Sequence, residues 1–386
     1  MRTAVYLDNQ ATTPVDPRVL AAMLPFFSDV FGNAASGQHS YGQQASQAVE
    51  NARAQVAELI GARPQEIIFT SGATESDNLA LKGAAEAQPS KRHIISARTE
   101  HYAVLDCLER LARSGYEITF APIDRTGLVD IEALEQMIRP ETLMVTLMGA
   151  NNEVGTVAPL SEIGRITRSR GVLFHCDAAQ MVGKLPVNVA EMNIDLLSIS
   201  GHKVYGPKGI GALYVCRRPE VLLTPIFDGG GHERGLRSGT LNVPGCVGLG
   251  LACAIAGEEM EEEGQRLCAL RQKLLGLFVE KLDGVELNGH PDQRLPGNLN
   301  LCFKGADADS LILMVPEVAL SSGSACTSAS PEPSHVLLAM GKSYDEASQS
   351  IRFGIGRFNT VDEIVVAAAR VSEAVVDLRA MSGVAS

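Results

Sequence analysis

LLSISGHK, residues 196–203, sets the frame for the whole chain. Five apolar or small residues run without polar alternation and then stop at Gly-His-Lys. A run that short and that uniform suits a strand covered on both faces, and such strands belong to parallel sheets packed between helices. Neighbouring runs read alike: TLMVTLM at 142–148, VLFHCD at 172–177 and GALYVC at 211–216. Further out, EIIFT (66–70), HIISA (93–97) and EITFAPI (117–123) alternate with amphipathic helical stretches. That rhythm predicts an α/β fold, a mostly parallel central sheet flanked by helices. Sheets of this kind place ligands beyond the carboxyl ends of their strands, so chemistry is to be sought just after each run.

After about residue 262 the rhythm changes to a long helix (265–282), a strand NLNLCF (298–303), a helix near His335, SIRFGI and a final helix. This predicts a large domain over 15–262. A smaller α+β domain, formed by 263–386 together with 1–14, would pack beside it and close over a cleft.

The chain of 386 residues is 45% hydrophobic and 20% charged, enough to bury a large core. Its net charge of −12 argues against a nucleic-acid binder, because no segment concentrates the basic face that phosphate neutralisation needs. The acidic run EEMEEE (258–263) reads as a solvated helix face. No apolar run approaches the roughly 20 residues of a bilayer span, and MRTAVYLDNQ lacks a secretory core. A cytoplasmic protein without membrane attachment is expected.

Eight cysteines, at 107, 176, 216, 246, 253, 268, 302 and 326, show no CxxC pair and no zinc spacing. Most sit in apolar surroundings and read as buried, inert thiols. Cys326 differs. It lies in SSGSACTSASPEP, 321–333, small and hydroxyl residues closed by prolines, which predicts an exposed, mobile loop and a reactive thiol.

After EIIFT comes Ser71-Gly72-Ala73-Thr74-Glu75-Ser76, a glycine turn and residues that can open a helix. Free N–H groups and a hydroxyl there would cradle a phosphate, although Ser or Thr followed by Glu is equally an ordinary helix cap. After VLFHC comes Asp177, with Gln180 three residues on. A carboxylate at the end of a central strand needs a cation, a metal or a protonated heterocycle beside it. LLSIS ends on Ser200 and is followed by His202 and Lys203, and a desolvated lysine can form a Schiff base. Asp177 with Lys203 suggests pyridoxal 5'-phosphate (PLP): the lysine would hold the aldehyde, the aspartate the pyridinium nitrogen, and the Ser, Thr and His groups the phosphate. His101, after HIISARTE, supplies an imidazole that can stack on the ring. Asn152, after TLMVTLMGAN, offers a neutral hydrogen bond in the same mouth. The loop 206–211, GPKGIG, lacks the order of a nucleotide P-loop. Its Lys208, in a loop rather than at a strand end, is the weaker Schiff-base candidate.

These residues lie in segments that strongly resemble the cysteine desulfurases of the NifS/IscS type, in the class V aminotransferase group of fold-type I PLP enzymes. The matching segments are YLDNQATTP (6–14), FGN (31–33), FTSGATESDN (69–78), TEH (99–101), NNEVGT (151–156), SGHKVYGPKGIGALYV (200–215), GGGHERGLRSGT (229–240), SSGSACTSAS (321–330) and SIRFGIGRF (350–358).

The resemblance implies PLP-dependent conversion of L-cysteine to L-alanine, the sulfur passing to the Cys326 thiolate as a persulfide for iron–sulfur cluster assembly. It implies Lys203 as the Schiff-base lysine, Asp177 on the ring nitrogen, Gln180 on the phenolic oxygen, and His101 stacked on the ring and moving protons. The phosphate would sit against Ala73, Thr74, Ser200 and His202, with Thr240 reaching in from a second subunit of a homodimer. Asn152, beside the cofactor, and Arg352 would grip the substrate, Arg352 by a bidentate clamp on its carboxylate. Without the resemblance Arg352 reads as a surface arginine.

The implied partners are L-cysteine and a sulfur-acceptor or iron–sulfur scaffold protein. The chain end LRAMSGVAS lacks the longer tail by which some members dock a scaffold. No metal is implied beyond a transient cluster contact at Cys326. Selenocysteine lyase or aminotransferase chemistry on the same scaffold is the alternative, and the Cys326 loop favours the desulfurase because transamination needs no thiol. A non-enzymatic thiol carrier would leave Lys203, Asp177 and His101 without use. Four positions depart from the family pattern: Gln10 where Asn or Ser is common, Ala34 where Pro is, Pro331 where Leu is, and Gly354 where Ser is. Pro331 is expected to stiffen the far hinge of the cysteine loop.

Overall fold

The computed structural model describes residues 4–322 and 333–381. After a short strand β1 (Val5–Tyr6), the chain builds one sheet from β2 (Ile67–Thr70), β3 (His93–Ser96), β4 (Glu117–Phe120), β5 (Thr142–Thr146), β6 (Leu173–Asp177), β7 (Leu196–Ser200) and β8 (Gly211–Val215). These seven strands lie in the order β2-β8-β7-β6-β5-β3-β4. Neighbours are parallel except for β8, which runs antiparallel to both β2 and β7. The helices between strands pack on the sheet, so β2, β5, β7 and β8 are buried at every residue, as the unalternating runs predict. Only the edge strand β4 is partly exposed throughout.

Because β8 runs backwards, its first residue, Gly211, pairs with Thr70 and Ser200 at the ends of β2 and β7. A Cβ there would stand 2.4 Å from the Ile199 carbonyl oxygen and 2.6 Å from Gly72 Cα. Glycine at 211 therefore lets the turn after β2, and the start of the helix Ala73–Ala87, close down on the sheet.

Strands β9 (Val285–Asn288), β10 (Asn298–Phe303) and β12 (Ser350–Gly354) form a small antiparallel sheet in the order β12-β10-β9. Between them in sequence, β11 (Val318–Ala319) pairs in parallel with β1. Their core, which includes Leu7, Leu274, Phe278, Phe303, Phe353 and Val371, is distinct from the large core under the seven-stranded sheet.

The long helix differs from the expected 265–282: it runs from Val243 to Lys281. Its first half carries four glycines, which lower helix propensity and hide it from a periodicity reading. Tertiary packing overrides that penalty. A Cβ on Gly250 would meet Ala52 Cα at 2.5 Å, and one on Gly248 would meet Met23 Sδ at 2.6 Å, so the glycines permit close approach to the helices Ser40–Leu59 and Pro17–Met23. The helix is long and apolar enough to cross a bilayer by length and composition, contrary to the expectation that nothing in the chain approaches that size. Much of its apolar surface is instead buried in the protein: Leu249 and Ile255 in the large core, Leu267, Leu274 and Phe278 in the small one. The boundary expected at 262–263 falls inside this helix.

The acidic run 258–263 sits where the helix passes between the cores, and it is more than a solvated face. Glu259 pairs with Arg18 at 2.5 Å, and Glu263 with Arg357 at 2.7 Å. Arg357 also reaches the buried Asp16 at 2.9 Å, which ties the small sheet's side of the molecule to the large one.

Candidate active site

Thr240 and Cys326 aside, every candidate residue lines one cleft of about 590 Å³ beyond the carboxyl ends of β2, β6 and β7. That lies within the roughly 300–1,000 Å³ of small-molecule sites. The remaining wall comes from Gln10, Ala11 and Thr12 of the N-terminal segment and from Arg352 on β12.

At one end the helix Ala73–Ala87 opens with Gly72 as its N-cap, and no side chain caps it. The ordinary-cap reading of this segment therefore gives way. Glu75 instead accepts from the Ser71 N–H at 2.8 Å and from Arg237 Nε at 2.9 Å. Ala73 and Thr74 thus present an uncapped helix start, with the positive end of its dipole, to the cleft. His202, across from them, has Thr12 Oγ1 3.1 Å from its Nδ1. Burial, with Lys203 and Lys208 nearby, pushes its imidazolium down to about 4, so it is a neutral hydrogen-bonding ring at neutral pH.

Asp177 ends β6 and is buried. It accepts from the Ala179 N–H at 2.9 Å and takes part in no ion pair among the described residues. Burial first, and the Asp77 carboxylate second, push its carboxyl up to about 6, against the opposing pull of His101 and His175. Glu100, behind His101, is also buried. One oxygen accepts from the Met148 N–H at 2.7 Å and the other has no hydrogen-bond partner, while burial drives its carboxyl well above the usual range.

Lys203 closes the short turn Gly201–Lys203 that follows β7. Its Nζ donates to the carbonyls of Ala11, at 2.7 Å, and Gln10. Gln180 Nε2 donates to the same Gln10 carbonyl at 2.8 Å. Gln180 Oε1 accepts from Lys184 Nζ at 2.8 Å; the Gln10 carbonyl can only accept, so the amide has a fixed orientation. Lys208, the rival lysine, is exposed at the rim.

His101 caps the helix Tyr102–Arg113, its Nδ1 accepting from the Ala103 N–H at 3.1 Å. Nε2 is then the ring position left to carry the proton of the neutral imidazole. Arg352 is 2% exposed, the opposite of a surface arginine. It donates to the Asn152 carbonyl at 2.9 Å and to Asp8 at 2.8 Å, and its Nε has no partner. Thr240 is exposed on the loop before the long helix and does not line the cleft of its own chain. Cys326 and Pro331 lie outside the described residues. Of the other cysteines all but Cys268 are buried, and burial pushes the Cys107, Cys246 and Cys253 thiols up to about 12, as inert thiols require.

Sequence reasoning passed over Asp77, His175 and Lys184. Two of the three had a signal: His175 is two residues before Asp177 on a strand and so shares its face, and Lys184 is four residues past Gln180. Asp77 had none, since only the packing of its helix on the sheet brings it under β6.

The chain belongs to the class-V aminotransferases, whose family model matches residues 5–366. It is 54% identical over 383 residues to a protein named cysteine desulfurase IscS from Anaeromyxobacter dehalogenans (strain 2CP-C), covering 99% of this chain and 95% of that one. A cysteine desulfurase IscS from Rickettsia prowazekii (strain Madrid E) is 53% identical over 379 residues, covering 98% and 92%. A solved NifS-like protein shares the fold with a TM-score of 0.89 at 37% identity, over 96% of this chain and 98% of that one.

Enzymes of this family depend on PLP, and the cleft suits it. A buried carboxylate without an ion-pair partner fits a pyridinium. A lysine that donates to two neutral backbone carbonyls fits an aldehyde, and an uncapped helix start fits a phosphate.

Proposed function

We infer that this chain is a PLP-dependent cysteine desulfurase that converts L-cysteine to L-alanine and supplies sulfur for iron–sulfur cluster assembly. The observation that carries it is the convergence of Lys203, Asp177 and Arg352 on one cleft in a chain of this family. PLP, when bound, supplies the electron sink that acidifies the substrate's Cα–H. Lys203, Asp177 and Gln180 would hold its aldehyde, ring nitrogen and phenolic oxygen, and Ala73, Thr74, Ser200 and His202 its phosphate.

The chain's own residues do the rest. Arg352, with Nε unengaged, offers its fork to the substrate carboxylate beside Asn152. Lys203 Nζ would carry the Cα proton, and His101 Nε2 would exchange a proton with the cleft. The Cys326 thiolate is the nucleophile we assign by sequence resemblance. It attacks the substrate sulfur, the S–S bond forms as the Cβ–S bond breaks, and the electron pair stays on the carbon fragment, which takes up a proton and leaves as L-alanine.

The test is to add L-cysteine to the purified holoenzyme and measure alanine and protein persulfide. Lys203→Ala should lose the visible band at about 400 nm. Cys326→Ser should form no persulfide, and normal turnover in that variant would overturn the mechanism.

A homodimer in which Thr240 completes the partner's phosphate site is part of the same proposal. Its support is the exposure of Thr240 outside its own cleft. If it holds, mixing inactive Lys203→Ala and Thr240→Ala chains restores activity through one intact site, and no recovery on mixing refutes it. The acceptor we propose is a sulfur-carrying or iron–sulfur scaffold protein, which capture by the persulfidated enzyme would identify. A cytoplasmic setting rests on the free thiols of the described cysteines. Recovery in a membrane or organelle fraction would contradict it.

A further inference from the structure

Two of the sequence's departures from the family pattern, Gln10 and Gly354, meet beside the cleft. Gly354 ends β12, two residues past Arg352, and grips the N-terminal segment through its backbone. Its N–H donates to the Leu7 carbonyl at 2.6 Å, and its carbonyl accepts from the Asn9 N–H at 3.1 Å and from Asn9 Nδ2 at 2.7 Å. A Cβ on residue 354 would stand 1.9 Å from Gln10 Oε1, 3.0 Å from Gln10 Cδ and 2.7 Å from the Asn9 backbone nitrogen. The Gln10 side chain fills the space that any side chain at 354 would need.

Hydrogen bonds do little to place that side chain. Gln10 is 3% exposed, its Oε1 has no partner, and its Nε2 reaches only the Gly297 carbonyl, at 3.4 Å. Packing against the bare backbone of Gly354 is what holds it. The consequence is felt at the backbone oxygen of the same residue, which accepts from both Lys203 Nζ and Gln180 Nε2. One carbonyl therefore orients the two side chains assigned above to the cofactor's aldehyde and phenolic oxygen.

We propose that Gln10 and Gly354 are a coupled pair of positioning residues: the long side chain at 10 and the absent one at 354 fit each other, and together they set the carbonyl that orients Lys203 and Gln180. The proposal rests on the PLP assignment of that cleft. A side chain added at 354 must displace the Gln10 amide or the backbone at Asn9, whereas a short residue at 10 leaves a void. Changed together, the two compensate in part: the clash with the Gln10 amide goes and the close approach to the Asn9 nitrogen stays.

The test is a double-mutant cycle on the full-length holoenzyme with Gln10→Ser, Gly354→Ser and both, with Gly354→Ala as the milder partner should Gly354→Ser fail to fold. Three quantities are read: the thermal midpoint, the PLP dissociation constant, and the pH midpoint of the visible band. Gly354→Ser alone should weaken PLP binding about tenfold, as overpacking of a closed site does, with the double variant regaining part of that loss and keeping the part due to the Asn9 nitrogen. The band's pH midpoint should shift in the single variants and return in part in the double, which a purely structural defect would not produce. Additive effects, or a lowered thermal midpoint with an unmoved band, would overturn the pairing. A parent protein without any visible band would instead overturn the PLP assignment itself.

Discussion

His175 Nε2 lies 3.5 Å from Asp77 Oδ1, with both side chains fully shielded from solvent, directly behind Asp177. Thr146 Oγ1 is 2.8 Å from the other ring nitrogen, and Ser198 Oγ is 3.1 Å from Nε2. Burial raises the proton affinity of Asp177 most, Asp77 adds to it and His175 opposes it, so the charge on the residue that faces the cleft is tuned in part from beneath.

Asp77→Asn should therefore retain PLP at lower pH than the parent. With the Asp177 carboxyl raised to about 6, the folded apo protein holds a proton there that the unfolded chain, with a carboxyl near 3.8, has released. Its stabilising contribution is present on the acid side and is lost as pH rises through about 6. The pyridinium of bound PLP needs the ionised form, so the parent should release PLP on acidification below about 6. Dialysis over a pH series, followed by the visible spectrum, checks this. Superimposable retention curves would show that Asp77 does not act on Asp177.

Lys184→Met should flatten the alkaline stability profile. Desolvation and the neighbouring Lys203 push the Lys184 ammonium down to about 7, below its value of 10.5 in an unfolded chain. Between those limits the unfolded state binds the extra proton, so stability rises with pH, by up to about 1.4 kcal/mol per pH unit at full effect. Urea midpoints of parent and variant across that window should diverge, the variant lacking this component of the slope.

Arg352→Lys should raise KM for L-cysteine at least about tenfold while leaving the visible band in place, because one ammonium cannot hold Asp8, the Asn152 carbonyl and a carboxylate in a planar fork. Steady-state kinetics beside an absorption spectrum separates the two effects. Loss of the band together with KM would mean that the arginine supports the cofactor site instead.

Gly211→Ala should weaken PLP binding and destabilise the protein by about 1–3 kcal/mol. The atoms a methyl group would strike, the Ile199 carbonyl oxygen and Gly72 Cα, are backbone and cannot swing aside. Urea unfolding and PLP titration of the variant measure both losses, and parent-like values in both would refute the assigned role of that close approach.

The parts of the site legible in the sequence are those written in a local pattern. Strand runs buried on both faces announce themselves by lacking alternation, and Asp177 and Lys203 stand out because charge follows such runs abruptly. What could not be read depends on contacts between distant segments. Arg352 resembles any surface arginine until β12 is laid against the N-terminal segment, where it is 2% exposed. The first half of the long helix is hidden by glycines whose use is visible only against Ala52 and Met23. Glu259 and Glu263 gain partners only when residues 16–18 and 357 fold onto the helix.

The pairing of β1 with β11 and of Asp8 with Arg352 also fixes an order of events during translation. Asp8 leaves the ribosome before Lys203, and Lys203 before Arg352. A nascent chain can thus complete its seven-stranded sheet and expose its lysine long before the arginine arrives to share the cleft. Until Arg352 has emerged, Asp8 and the Asn152 carbonyl lack the guanidinium that joins them, and the cleft lacks the wall that β12 supplies.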